Sequence, residues 1–498
     1  MNRLPSKAGF ALAARRLSYL MHNRRGATAV LFGVSAVVVV GMVGLGTEGG
    51  SWYVTRRDAQ NAADPAAFAG AVRLSMAQTV LNQSLAAARL QAQDAARDTA
   101  TRNGLTQGAA NTTVTVSSPP ASGAQTANLS AVEVIVQRTR PRLISGVFLR
   151  TNPVIIARSV AALRPNGTAC MVAIPGFGTG TVTGQLLASG STSINAPNCI
   201  LGSNSTLADA ISITGAASVT AVTLTTPGGC NGCDAATLSQ SPSTYAPPTI
   251  NPLAFLNTKP LPSFSSSSCY RSPVYSRAGV VITDGIPYNN NVRSSMVIPP
   301  PPAGKALCGL NIGSTGTVVT FFPGTYYFYN GSLNVTGGRL ECRMATSPPT
   351  ANGAPCANGQ GVTIVFTGDP AQIGGPNING GTIDLTAPTA TYTVDPNYSG
   401  NLDYAGVLFF RDPRATGGNT QGSPAVDING GPTTKLTGGM YFPNSYVKYS
   451  GNAAANTCSI LFGGTIDMTG NSGVTLDQCI TLGYGNVMPN LQVVRLVE

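Results

Sequence analysis

RRGATAVLFGVSAVVVVGMVGLGTE, residues 24–48, carries no charge from Gly26 to Thr47, and its reading organises the rest of the chain. At a rise of about 1.5 Å per residue, a helix over this stretch covers the roughly 30 Å hydrocarbon core of a bilayer. Six cations precede it (Arg3, Lys7, Arg15, Arg16, Arg24, Arg25) and no acid does. Cations flanking a span are retained on the cytoplasmic side, and a basic flank suits anionic lipid. Residues 1–25 are therefore expected to be a basic cytoplasmic segment and 26–47 a transmembrane helix, with the chain beyond about residue 48 exported. The apolar run exceeds the roughly 7–15 residues of a signal-peptide core, and no small-x-small site closes it, so a retained anchor is expected.

Charge and cysteine follow the same division. The formal net charge is +11, but residues 1–164 hold 18 Lys and Arg against 6 Asp and Glu, and residues 165–498 hold 12 against 13. The excess sits on the anchored part, and no groove-reading motif accompanies it, so nucleic acid is not an expected partner. All ten cysteines lie in the far part, from Cys170 onward. An even count confined to an exported region reads as disulfides. Nearest neighbours would pair as Cys170–Cys199, Cys230–Cys233, Cys269–Cys308, Cys342–Cys356 and Cys458–Cys479, though spacing alone does not fix the connectivity.

Residues 51–103 are Ala-rich, with Val72, Met76, Val80 and Leu85 on one face and Arg73, Arg89, Asp94 and Arg97 on the other. This predicts an amphipathic helix leaving the bilayer, kinked at Pro65 and stopped at Gly104. Strand signals follow at 111–118, 130–138 and 153–163, with a short helix at 141–149. Residues 48–164 thus read as a helix plus a small α+β sheet, a plan similar to that of pilins. From 165 to 498, short apolar alternations separated by Gly, Pro and Asn predict a large all-β domain. A loose repeat recurs at GSTSINA (190–196), GAASVTA (215–221), GSLNVTG (331–337), GTIDLTA (381–387) and GTIDMTG (464–470), and FFPGTY (321–326) echoes YFPNSY (441–446). Irregular strand-and-turn repeats suggest a β-helix or solenoid, with a β-sandwich as the alternative. The Pro-rich stretches 239–252 and 299–305 read as linkers, and 343–359 as an excursion clipped by Cys342 and Cys356.

The chemistry is sparse. His22, the lone histidine, lies before the anchor. That removes Ser-His-Asp, Cys-His and His-ligated metal sites from the exported part. Glycoside hydrolysis would need two converging carboxylates, and the candidates are Asp284, Asp369, Asp384, Asp403, Asp412, Asp427, Asp467 and Asp477. Asp384 and Asp467 hold the same place in two GTID repeats and could stack on neighbouring turns of chain, but a solvated turn is the plainer reading. Cys230-Asn-Gly-Cys233 sits in a turn and reads as a small disulfide loop. No cofactor, metal site or catalytic residue is assigned. Tyr326, Tyr327, Tyr329, Tyr441, Tyr446 and Tyr449 form two aromatic clusters. In a strand about half point inward as core, and the outward half could stack on glycans.

Residues 24–71 resemble the N-terminal region of TadG-like proteins of the Tad (Flp) pilus-assembly system. The match rests on Arg25, Gly26, Ala29, Val30, Tyr53, Gln60, Ala62, Ala63, Asp64, Ala66, Ala67, Ala69, Gly70 and Ala71, about a tenth of the chain. Pro65 and Phe68 replace the usual Ala and Leu. The metal-dependent adhesion motif of some relatives is missing here, so metal binding is not carried over. The resemblance implies an exported structural protein of the bacterial inner membrane, single-pass and without catalysis, its β domain periplasmic or extracellular. Its expected partners are the lipid bilayer, other pilus-assembly proteins through the helix, and surface glycans. Small residues at Gly33, Gly41 and Gly44 would let a partner helix approach. The alternative is an anchored β-helix protein that binds or cleaves polysaccharide.

Overall fold

The computed structural model describes residues 24–79, 84–176, 182–287, 290–357, 359–389, 404–429, 434–450, 458–470, 473–475, 479, 482–488 and 490–498. The chain falls into two units. The first comprises Met1–Leu74, Ala86–Ala162 and Arg495–Glu498, and the second Ser75–Leu85 with Leu163–Val494.

In the first unit, helix α1 (Arg24–Thr79) carries the apolar stretch directly into the Ala-rich segment. The large apolar side chains from Val30 to Val43 are exposed, as on a helix that a bilayer would cover. Beyond Glu48 the helix acquires a buried face of small residues, Ala59, Ala62, Ala63, Ala66, Ala67 and Ala71. Helix α2 (Leu85–Arg102) answers with Ala88, Ala92, Ala96 and Ala100, a stripe at four-residue spacing. At Gly70 a Cβ would lie 2.9 Å from Val132 and 3.0 Å from the Ala92 carbonyl, so glycine permits the close approach. The helix expected over 51–103 is therefore two helices. α1 continues through the exposed Pro65, ending at Thr79, while the predicted core residue Val80 lies outside the described residues. α2 stops before Gly104, which takes the left-handed φ of 84°.

Strands β1 (Thr112–Ser117), β2 (Ala131–Thr139) and β3 (Val154–Ala173) follow. β2 pairs antiparallel with both neighbours, Val134 opposite Val116 on one side and Ser159 on the other. Glu133 of β2 is buried and accepts bonds from Ser122 Oγ (2.5 Å), Ala121 N (2.8 Å), Arg158 Nε (2.6 Å) and Ser117 Oγ (2.9 Å). Burial alone would raise this carboxyl, but the four donors outweigh it and hold the pKa at about 2, against an ordinary 4.5. The folded pKa is depressed, so the stabilisation is complete above pH 4.5 and is lost as pH falls toward 2. Hydrogen-exchange protection of β2 in the detergent-solubilised chain is expected to fall across that window. Glu133→Gln should lower protection at pH 7 and flatten its fall, and an unchanged slope would contradict this account.

The second unit is built from parallel strands in three columns. In the first column 291–292, 310–312, 333–335, 376–379, 426–429, 447–450, 465–469, 186–188, 211–213 and 230–231 pair in succession. The second column holds 296–298, 318–321, 339–342, 382–386 and 435–437, and a further run of 473–475, 193–196, 218–221 and 237–238. The third holds 324–329, 362–367, 407–411, 438–442, 459–463, 171–173, 200–203 and 223–225. The chain visits them in a fixed order, as 310–312, 318–321 and 324–329 illustrate. Where two turns of chain succeed each other, Gly470, Gly190 and Gly215 stack with φ of 73°, 71° and 71°, a conformation that costs glycine nothing. They close or open three of the repeats read from the sequence.

Strand order does not follow chain order. The chain enters the columns in their middle, at 171–173, and proceeds to one end at Ser243, which bridges Thr225. It resumes at the opposite end, where Cys269 bridges Ala306, and works back until 459–469 pairs with 171–173 and 186–188. Residues 244–268, the first of the two presumed linkers and its continuation, make the return journey along the outside of the third column. Asn204 and Thr249 exchange two bonds at 2.8 Å, Tyr441 Oη meets Asn251 (3.0 Å) and Asn257 (2.7 Å), and the Phe264 ring lies 5.4 Å from that of Tyr327. Strands 362–367 and 407–411 are consequently buried on both faces. Inside, Phe328, Phe366, Phe409 and Phe442 stack with centroids 5.3, 6.3 and 6.2 Å apart.

Five bridges staple this unit: Cys170–Cys199, Cys230–Cys233, Cys269–Cys308, Cys342–Cys356 and Cys458–Cys479, with Cα separations of 5.7, 5.9, 5.4, 5.5 and 4.6 Å. Cys342–Cys356 closes the excursion after strand 339–342, where Met344 N reaches Ala354 O at 2.8 Å.

Candidate functional site

Two strands of the third column end in the same way. IVFTGDP (364–370) and LFFRDP (408–413) each run off an apolar strand into Asp-Pro, and the two turns lie one step apart, joined by Asp412 N to Phe366 O at 2.9 Å. Alternation along 407–411 sends Arg411 inward. Its guanidinium, wholly buried, donates to the carbonyls of Gly374 (2.9 Å), Ile373 (2.8 Å) and Gly417 (2.8 Å) and to Ser445 Oγ (3.0 Å). Asp412 is turned the other way, into a cleft of about 440 Å³ whose lining includes Lys259, Phe264, Tyr329, Asp369, Asp412 and Arg414.

The cleft combines a charged floor with ring faces. Asp412 accepts from Thr367 Oγ1 (2.9 Å), Arg414 N (2.9 Å) and the Arg414 guanidinium (2.6–3.2 Å). These donors occupy both its oxygens, so it clamps Arg414 in place. The bond to Asp412 also raises the Arg414 pKa. Asp369 accepts from Asn330 Nδ2 at 2.8 Å. The Phe264 and Tyr329 rings stand 6.3 Å apart. Such a surface can hold hydroxyl-rich or anionic groups by hydrogen bonds and stacking. Among the described residues no three His, Cys, Asp or Glu gather as a metal site.

Among the described residues the remaining candidate carboxylates do not converge here. Asp384 lies in the second column, in a row with Glu341 and Lys435 and 3.7 Å from Arg339. Asp467 lies in the first, between Lys448 and Leu187, buried and bonded by Tyr446 Oη at 2.6 Å. The expectation that they stack is corrected: the shared GTID text occupies different columns. Asp427 sits beside Lys448 in the first column, Asp284 is exposed in a turn, and Asp403 and Asp477 lie outside the described residues. Of the aromatic clusters, the core share is larger than the half expected, and the outward, glycan-facing share is corrected to one residue. Tyr326, Tyr327, Tyr441, Tyr446 and Tyr449 are buried, and Tyr329, half-buried, reaches the cleft. Burial and then Asp467 raise the Tyr446 pKa. Lys259, Phe264 and Arg414 carried no signal of their own in the sequence, although the repeated Asp-Pro strand ends marked the place.

The anchor end is organised by a different logic. Gln60 Nε2 bonds Asp64 Oδ1 at 2.6 Å and the Arg158 carbonyl of β3 at 3.2 Å, and the Ala and Gly positions around them form the packing face described above. Residues 26–73 match a family described as putative Flp pilus-assembly TadE/G-like. Over these residues the chain is similar to TadE/G-like proteins. No curated protein and no solved structure matches the chain. Within this segment Gln60, positioned by Asp64, ties the helix to β3, the buried Ala66 and Gly70 lie on the packing face, and Tyr53 is exposed six residues past the apolar stretch. Arg25 and Gly26 stand in the first turn of α1. Gly33 and Gly41 face open space, whereas Gly44 is filled by the side chain of Ile144. The small-residue face available to another helix therefore excludes Gly44.

Proposed function

We propose that this chain is a membrane-anchored, exported structural protein of Flp pilus assembly. The observation that carries the proposal is that the segment matching a pilus-assembly family is also an apolar helix with no buried part in its membrane-length window. The anchor crosses the inner membrane once, with the basic residues 1–25 in the cytoplasm and the disulfide-stapled unit in the periplasm or beyond. The three parallel columns, visited in fixed order, are the faces of a β-solenoid, since a sandwich is built of antiparallel sheets. Its role is scaffolding without catalysis, for which the saturated Asp412 and the separated Asp384 and Asp467 give support. Gly33 and Gly41 offer the approach for a helix of another assembly protein. Protease treatment of spheroplasts should remove the β region and spare an N-terminal cytoplasmic tag, and full chain isolated in mild detergent should bring down the inner-membrane pilus-assembly proteins. Protection of the β region, or isolation free of those proteins, would contradict the proposal.

The cleft favours a second reading, contact with glycans. If so, Tyr329→Ala should weaken glycan-array binding by roughly tenfold, the loss of one stacking face. A blank array with the full chain would remove this reading.

A further inference from the structure

Residues 140–150 read RPRLISGVFLR, three arginines around a run of large apolar side chains with no acid among them. In the folded first unit this segment is pinned to α1. Ile144–Val147 forms a 3₁₀ turn, and Ile144 fills the notch at Gly44, where any Cβ would overlap its Cδ1. One helical turn on, the buried Glu48 carboxylate accepts from Leu143 N (3.0 Å), Ser145 N (2.8 Å) and Ser145 Oγ (2.6 Å). Gly44 and Glu48 share one face of the helix. The turn is thereby held at the level where the apolar stretch ends and Trp52, Tyr53, Arg56 and Arg57 begin, the order expected at a membrane surface.

Pinned there, the segment shows its apolar side chains outward. Leu143, Val147 and Phe148 are 73%, 80% and 73% exposed. A protein designed to keep this loop in water would not gather such residues in one patch. Arg142 is tied to the Leu149 carbonyl (2.8 Å) and Asn152 Oδ1 (3.1 Å) at the rim of the patch, with Arg140 and Arg150 at the segment's two ends.

We propose that residues 140–150 form a second membrane contact, in which Leu143, Val147 and Phe148 enter the interfacial layer of the bilayer beside the anchor and Arg140, Arg142 and Arg150 meet anionic lipid headgroups. The occupant is lipid because the patch is continuous with the bilayer-spanning helix and carries charge of the complementary sign. The proposal rests on the reading of α1 as an anchor. It gives the first unit two points of attachment, so that α1 leaves the membrane in a fixed rotational setting.

The test uses full chain in nanodiscs made with phosphatidylglycerol and phosphatidylcholine, with or without bromine on the acyl chains. Trp52 is the chain's single tryptophan and reports the anchor in the parent protein. Phe148→Trp in a Trp52→Phe background reports the loop. Val147→Trp repeats the measurement at an equally exposed position, and Tyr245→Trp, at a site 76% exposed in the other unit, serves as the reference. Bromolipid is expected to reduce Phe148→Trp and Val147→Trp emission roughly twofold or more, as for a side chain within the headgroup and acyl boundary, and to leave the Tyr245→Trp reporter unchanged. Quenching of Trp52 without quenching at 148 and 147 would overturn the loop contact and leave the anchor standing. Blue-shifted but unquenched emission at 148 would mean that protein covers the patch, which also overturns it. Absence of quenching at all positions would remove the anchor reading itself.

Discussion

Replacing Arg411 by leucine is expected to cost about 3–5 kcal/mol of stability in the β unit. The guanidinium is wholly buried and ties three carbonyls and Ser445 together from three different stretches of chain. Burial lowers its pKa to about 10, an effect that Asp412 partly opposes, so it is still charged at neutral pH. Leucine covers the stem but leaves the guanidinium's place empty and those acceptors buried without donors, at about 1–3 kcal/mol each before relaxation. Lysine keeps the charge and loses the planar fork, so it should recover only part of the stability. Thermal unfolding of the full chain in detergent should show the Tm of Arg411→Leu lowered by on the order of 10 °C, with Arg411→Lys in between. A shift of Arg411→Leu within a couple of degrees of the parent would show that the buried guanidinium is dispensable.

The second large effect follows from the way the chain enters its own columns. Residues 459–469 lie between 438–450 on one side and 171–173 with 186–188 on the other. Replacing 458–479 by a flexible linker retains Arg495–Glu498 of the first unit but removes this seam. Two parallel edges open at once, each a row of unpaired backbone donors and acceptors that templates aggregation. The altered chain is expected to elute in the void volume on size exclusion. Replacing 237–243, at the far end of the columns, removes only two outermost pairings, 237–238 with 220–221 and Ser243 with Thr225, and should leave a monodisperse protein. Equal behaviour of the two replacements would contradict the observed order of strands.

How much of this was legible in the sequence depended on whether the cause was local. The long apolar helix was legible because Gly26 to Thr47 is a run of 22 uncharged residues, long enough to cross a bilayer. The helix stop at Gly104, the strands β1 to β3 and the excursion closed by Cys342 and Cys356 were legible for the same reason: cap, alternation and bracket all lie within a few residues. The order of the columns was not. Val447 meets Ile466 nineteen positions away, yet Ile466 meets Leu186 from the opposite direction of the chain, and nothing local records a partner so distant. The aromatic clusters misled because the cover, residues 244–268, reads as a Pro-rich linker. The run Thr-Tyr-Tyr-Phe-Tyr at 325–329 did carry the better signal, since an unbroken apolar strand is one buried on both faces. The Asp384 and Asp467 pairing failed because identical tetrapeptides serve different columns, and a repeat of text fixes a strand's shape without fixing its neighbours.

The central claim, that a TadE/G-like anchor holds this β unit in the service of pilus assembly, is tested most directly by counting Flp pili by electron microscopy in a strain lacking the gene. The account predicts a loss of pili that the full chain restores and that a chain retaining residues 1–164 alone does not. Pilus numbers unchanged by the deletion would contradict it.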